Sequence, residues 1–195
     1  MLYNIVRNTL KLVLKLLFKI EVKGKENIPK EIGLIVCSNH YHWLDPIAVA
    51  CFFNRQVCFM AKKELFRNRI FGYLLRKIYA FPVNRETADI SAIKNAIKIV
   101  KSNRVLGMFP EGTRVKTGES INAEPGIAMI GVKGKAQIVP IGISGSYKFR
   151  SKLLINIGQT ISLEQHYGKK ISIDEFEEIS EYIMTEVRQL IIKDI

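Results

Sequence analysis

The chain has 195 residues, 48% of them apolar, which suits one domain with a sizeable core and excludes a division into several. Thirty Lys and Arg against 18 Asp and Glu leave a net charge of +12. From residue 172 onward seven acidic and two basic residues sum to −5, so residues 1–171 carry 28 − 11 = +17. A field of that sign favours a polyanionic surface or an anionic substrate, without choosing between nucleic acid and an anionic membrane. Cys37, Cys51 and Cys58 form no even framework and no CxxC pair, so a reducing, cytosol-facing environment is expected, with the thiols as small core hydrophobes. No small-residue cleavage site follows the first apolar stretch, and no cleavable signal is expected.

Residues 2–20, LYNIVRNTLKLVLKLLFKI, are apolar but punctuated by Arg7, Lys11, Lys15 and Lys19. On a helix these residues, with Asn4 and Asn8, occupy about a third of the circumference and leave Leu, Ile and Val over the rest. The charges interrupt any run long enough to span a bilayer. The stripe beside a wide apolar face describes a helix lying in the headgroup layer, with anionic lipid as partner of the basic region. The competing reading is a helix packed on the core with its lysines in water. The expected organisation is an interfacial amphipathic helix over 1–20 and a single domain over 21–195.

Downstream, short apolar runs alternate with helical stretches. Strands are expected at 33–38, 56–61, 79–83, 105–109, 137–143 and 153–158, and helices at 46–54, 68–77, 88–101, 126–133 and 174–193. Within 88–101, Ile90, Ile93, Ile97 and Val100 keep one apolar face. Ser172 with Glu175 three residues on is a capping-box start for the last helix. This alternation predicts an α/β fold, a mainly parallel central sheet flanked by helices, with sites at the carboxyl ends of strands.

Two of the chain's three histidines fall in SNHYHWLDP, residues 38–46. His40 and Asp45 are five apart, so they meet only if the chain turns between them. A strand ending near Ser38 and an Asp45-Pro46 helix start supply that turn. Asp45 either caps the helix or also holds the imidazole, one oxygen serving each purpose; histidine in such a pair acts as a proton acceptor near neutral pH. His40 and His42 form an H-x-H pair, but no third and fourth ligands follow at metal spacing. FPEGTR (109–114), at a strand end, presents a carboxylate, a hydroxyl and a guanidinium, and arginine there suits a phosphate. FPVNR (81–85) repeats the arrangement with Arg85. GIAMIGVK (126–133) lacks the lysine of a phosphate-binding P-loop, and GISGS (142–146) lacks the last glycine of a nucleophile elbow.

The ordered set NHYHWLD, FPVNR, FPEGTR and IVPIGISG (138–145) resembles the glycerolipid acyltransferases, most closely the bacterial enzymes that acylate 1-acyl-sn-glycerol-3-phosphate. The likeness covers about residues 33–146. It implies the family's αβ fold and acyl transfer from acyl-CoA or acyl-carrier protein to the free hydroxyl of lysophosphatidic acid, giving phosphatidic acid without an acyl-enzyme. His40 then falls on the general base and Asp45 on the residue that orients it and stabilises the imidazolium. Arg85, Glu111, Gly112, Thr113 and Arg114 fall on the acceptor-binding motifs, where the phosphate is expected. Pro140 matches the proline of the fourth motif. No metal or cofactor is implied, because the thioester donor is itself a substrate. With the interfacial helix and the cytosol-facing cysteines, the protein is expected peripherally or monotopically on the cytoplasmic face of the cell membrane.

One departure stands out. In AEPG (123–126) Glu124 occupies a place where many relatives carry a basic residue, which points to another acceptor headgroup or to compensation by Lys116, Lys133 or Lys135. Trp43 either packs near the acyl entrance or joins the core. An acyltransferase for another lysophospholipid or for glycerol-3-phosphate, and a noncatalytic lipid-binding module, are the alternatives. A nucleic-acid binder is disfavoured because no recognised module interleaves aromatics with the basic residues.

Overall fold

Alternation of side chains along the strands sets the layers. The computed structural model describes residues 2–84, 89–115 and 121–192. In β2 (Leu34–Ser38), Ile35 and Cys37 point into one apolar cluster and Leu34 and Val36 into another on the opposite face. A strand buried on both faces reads as an unbroken apolar run, which is how LIVC appears.

Around β2 lies a seven-stranded sheet in the order β1-β7-β6-β2-β5-β3-β4. Its members are β1 (Lys19–Lys23), β3 (Val57–Lys62), β4 (Phe81–Val83), β5 (Val105–Met108), β6 (Gln137–Gly145) and β7 (Lys152–Ile157). β6, β2, β5, β3 and β4 are mutually parallel. β7 is antiparallel to β6 and carries β1 parallel to itself, so two of the seven strands run against the rest. The mainly parallel sheet expected from the sequence is the one observed.

One face is covered by α4 (Ile90–Lys101), α5 (Gly126–Gly134) and α6 (Ile173–Gln189), the other by α1 (Leu2–Leu17) and α2 (Asp45–Phe52). α3 (Arg69–Lys77) joins β3 to β4 after a 3-10 turn at Lys63–Phe66. The capping box of α6 is present: Glu175 N–H donates to Ser172 Oγ, and Ser172 N–H to Glu175 Oε2. All three cysteines are buried with free thiols, as core hydrophobes should be.

Several expectations are corrected. α1 ends at Leu17, and Lys19 already donates its N–H to Ser151 O at the start of the β1–β7 pairing, so the boundary at residue 20 falls inside a strand. The strand expected from residue 79 begins at Phe81, because Tyr79 takes a left-handed φ of 66° on leaving α3. In α4, Ile93, Ile97 and Val100 of the expected face pack on the core, but Ile90 is exposed and Ala92, Ala96 and Ile99 are buried as well.

α1 packs in an unexpected sense. Tyr3 and Leu14 are buried and Arg7 and Lys11 half-buried, Lys11 lying 5.5 Å over the Phe52 ring of α2. Leu2, Ile5, Leu12, Val13, Leu16 and Leu17 face outward. Arg7 and Lys11 therefore lean on the protein while Lys15 stays exposed, and Leu14 packs into the core while much of the apolar face points away from it. No helix among the described residues is long and apolar enough to cross a membrane.

Candidate active site

β2 stops at Ser38 because the chain must turn. Asn39 makes the turn possible by imitating backbone: its amide nitrogen donates to Ile143 O at 2.9 Å and its Oδ1 accepts from Ile143 N–H at 2.8 Å, prolonging the contact with β6. The next six residues fold around one carboxylate. Asp45 is completely buried, and its Oδ2 accepts from Tyr41 N–H at 2.8 Å and His42 N–H at 2.7 Å. The same oxygen lies 2.9 Å from His40 Nδ1. Asp45 makes no capping bond in α2; its carboxylate organises the preceding loop instead, which corrects the expectation of a cap. An ionised carboxylate only accepts, so Nδ1 carries the ring proton and Nε2 offers a lone pair to the cleft.

A second segment grips His40 from outside. Its backbone N–H donates to Glu111 Oε2 at 2.7 Å, and its carbonyl accepts from Val115 N–H at 2.7 Å. Its ring stacks on Phe109 at 4.2 Å. FPEGTR, at Phe109 and Glu111, and Val115 just after it thus shape the HxxxxD loop at three points, although about 70 residues of chain separate them. Gly112, at φ 66°, gives that segment the left-handed turn it needs. Burial pushes the Glu111 carboxyl up to about 7, with the bond from His40 N–H pulling the other way.

The histidine opens onto a cleft of about 700 Å³ at the carboxyl ends of the parallel strands. Thr113 and Arg114 are exposed along it, and Glu124, Gly126, Met60 and Val83 complete much of the wall. Lys62, which the sequence reading passed over, adds a cation from the end of β3. Arg85 and Lys116 lie outside the described residues. Glu124 faces the cleft, but Lys133 stands near the far end of α5, roughly 10 Å along the axis from Gly126 at 1.5 Å per residue, and Lys135 follows it. Neither offsets Glu124 at the cleft.

Tyr147, also missed, donates its hydroxyl to Asp45 Oδ1 at 2.8 Å and stacks on His42 at 4.4 Å. His42 itself accepts from Leu44 N–H through Nδ1 at 3.2 Å, a local contact. Trp43 is 60% exposed, which excludes the core role. Pro140 lies between the Ile138–Ile161 bridge and the β6–β7 ladder, where β6 changes partner, a place that tolerates a strand proline.

The family model described as Acyltransferase matches residues 19–144. A 1-acyl-sn-glycerol-3-phosphate acyltransferase of Bacillus subtilis is 39% identical over 145 residues, covering 74% of this chain and 72% of that one. The chain belongs to the acyltransferase family. A protein of the same name from Streptococcus pneumoniae is 35% identical over 173 residues, covering 85% of this acyltransferase and 63% of its relative. The crystal structure of a 1-acyl-sn-glycerophosphate acyltransferase from Thermotoga maritima shares the fold, with a TM-score of 0.73 over 96% of this chain and 79% of that one at 23% identity.

The matched span begins with β1 and stops inside β6. It holds His40, Asp45 and the whole of FPEGTR, but not Tyr147.

Proposed function

We propose that this acyltransferase moves an acyl group from a thioester donor, acyl-CoA or acyl-carrier protein, to the free hydroxyl of 1-acyl-sn-glycerol-3-phosphate, giving phosphatidic acid. The observation that carries the reading is the buried Asp45 carboxylate 2.9 Å from His40 Nδ1, with His40 opening on a cleft that also holds Arg114 and Lys62. The names of the relatives supply the acceptor. His40 Nε2 takes the hydroxyl proton as that oxygen attacks the thioester carbonyl, and Asp45 stabilises the imidazolium. The tetrahedral intermediate collapses with cleavage of the C–S bond, and the imidazolium returns the proton to the departing thiolate. One C–O bond replaces one C–S bond, so no acyl-enzyme is required. Arg114 and Lys62 take the acceptor phosphate, with Arg85 brought to it by the motif match.

The outward apolar residues of α1 support docking on a lipid surface, peripherally on the cytoplasmic face of the membrane. Acyl transfer to lysophosphatidic acid from each donor, compared between wild type and His40→Ala, tests the reaction. The variant should lose about 10²–10⁴-fold in rate while still folded. Wild type inactive with both donors would sink the assignment.

A further inference from the structure

We infer that α3 is a second membrane-docking element, seating its outer face in an anionic lipid surface beside the cleft. Ile70 is 76% exposed, and Phe71, Tyr73 and Leu74 are exposed with it. At about 100° per residue these four side chains span an arc of about 160°. Gly72 lies opposite that arc and is buried; a Cβ there would come within 2.9 Å of the Phe66 carbonyl. The glycine side holds the helix to the preceding turn and the apolar arc points outward. Leu65 in that turn is exposed too. A contiguous apolar face of this kind marks an interaction surface.

Charge selects the occupant. Residues 62–77 contain Lys62, Lys63, Arg67, Arg69, Arg76 and Lys77 against Glu64 alone. Basic residues rimming aliphatic and aromatic side chains suit an anionic bilayer interface. Arg76 lies 5.2 Å over the Phe66 ring and Lys77 5.2 Å over that of Tyr73, so both lay their stems along apolar surface. The end of α3 also lies beside α1: Tyr79, just past α3, meets buried Tyr3 of α1 ring to ring at 5.8 Å. A neighbour that exposes apolar residues of its own favours lipid over an acidic protein. Lys62 ends β3, starts the segment and lines the cleft, so seating α3 holds the cleft mouth against the surface from which a lysolipid arrives.

The inference extends the membrane placement proposed for α1, and the two are separable. Flotation of the full chain with phosphatidylcholine–phosphatidylglycerol vesicles would compare wild type, Ile70→Glu/Leu74→Glu in α3, and Leu12→Glu/Leu16→Glu in α1. The α3 variant should lose at least about tenfold in vesicle partition and keep its melting temperature, since its substituted residues are exposed. Arg69→Gln/Lys77→Gln, which leaves the apolar arc intact, should lose several-fold of the preference for anionic over neutral vesicles. Wild-type partition by both α3 variants, with the α1 variant detached, overturns the α3 assignment alone and gives the face to a protein partner. Wild-type partition by the α1 variant, with the α3 variants detached, overturns the α1 placement alone. A wild type that does not float overturns both.

Discussion

Tyr147 closes the hydrogen-bond shell of Asp45: its hydroxyl reaches Oδ1 at 2.8 Å, while Oδ2 serves the loop and His40. Burial, with the Asp45 charge beside it, raises the Tyr147 hydroxyl far above the ordinary phenol range, so it remains a donor. Tyr147→Phe keeps the ring and removes that bond. Stability should fall by about 1.5–3 kcal/mol, the worth of a hydrogen bond to a charged group. With Asp45 less satisfied, it holds the imidazolium more tightly, so the acidic limb of the pH–rate profile should move to higher pH. An unmoved profile with lowered stability would make Tyr147 purely structural.

Asp45→Asn should separate geometry from chemistry. An asparagine oxygen can still accept one loop N–H, but the imidazolium loses its counter-charge. We expect kcat to fall at least about 10²-fold, with KM for the acceptor nearly unchanged. A parallel rise in KM would instead mean that the loop had collapsed.

Glu111 predicts a pH dependence of stability. Its folded-state value of about 7 lies above the ordinary 4.5, so the folded protein binds more protons between those pH values than the unfolded chain does. Its contribution is therefore fully present below about 4.5 and lost as pH rises through about 7. Glu111→Gln retains an acceptor for His40 N–H and removes the titration. Melting temperatures of wild type and variant, followed from pH 5 to 8 (roughly the span in which maximal stability is usually found), should diverge in favour of the variant as pH rises.

Gly107 controls His40 through aromatic stacking. A Cβ at this position would sit 2.3 Å from the Phe59 ring, which stacks on Phe109, which in turn stacks on His40. Gly107→Ala should cost about 1–3 kcal/mol and reduce kcat. Adding Phe59→Leu should restore much of both, and a double-mutant cycle measures the coupling.

Much of this architecture was legible in the residues. The apolar run LIVC, the Asp45-Pro46 start and the Ser172/Glu175 box announce their elements through local chemistry, and the ordered motifs mark the cleft. β1 escaped because KIEVK has only two apolar residues and follows a helix whose lysine spacing runs into it. Asn39 and Tyr147 escaped for another reason: their partners, Ile143 and Asp45, lie 104 and 102 residues away in sequence. Periodicity tells which side of an element is apolar, but not which loops will meet. Asp45 was recognised as a partner of His40, yet its bonds to Tyr41 and His42 emerge only once the loop is closed.

The grip of Glu111 and Val115 on the His40 backbone bears on the life of the molecule before it is finished. Both contacts come from the segment after β5, so the His40 backbone gains them only when β5 has paired beside β2. A half-folded chain would carry every residue of the first motif and still lack both of these bonds to His40. On the proposed mechanism, completing the sheet and finishing the site are then one and the same event.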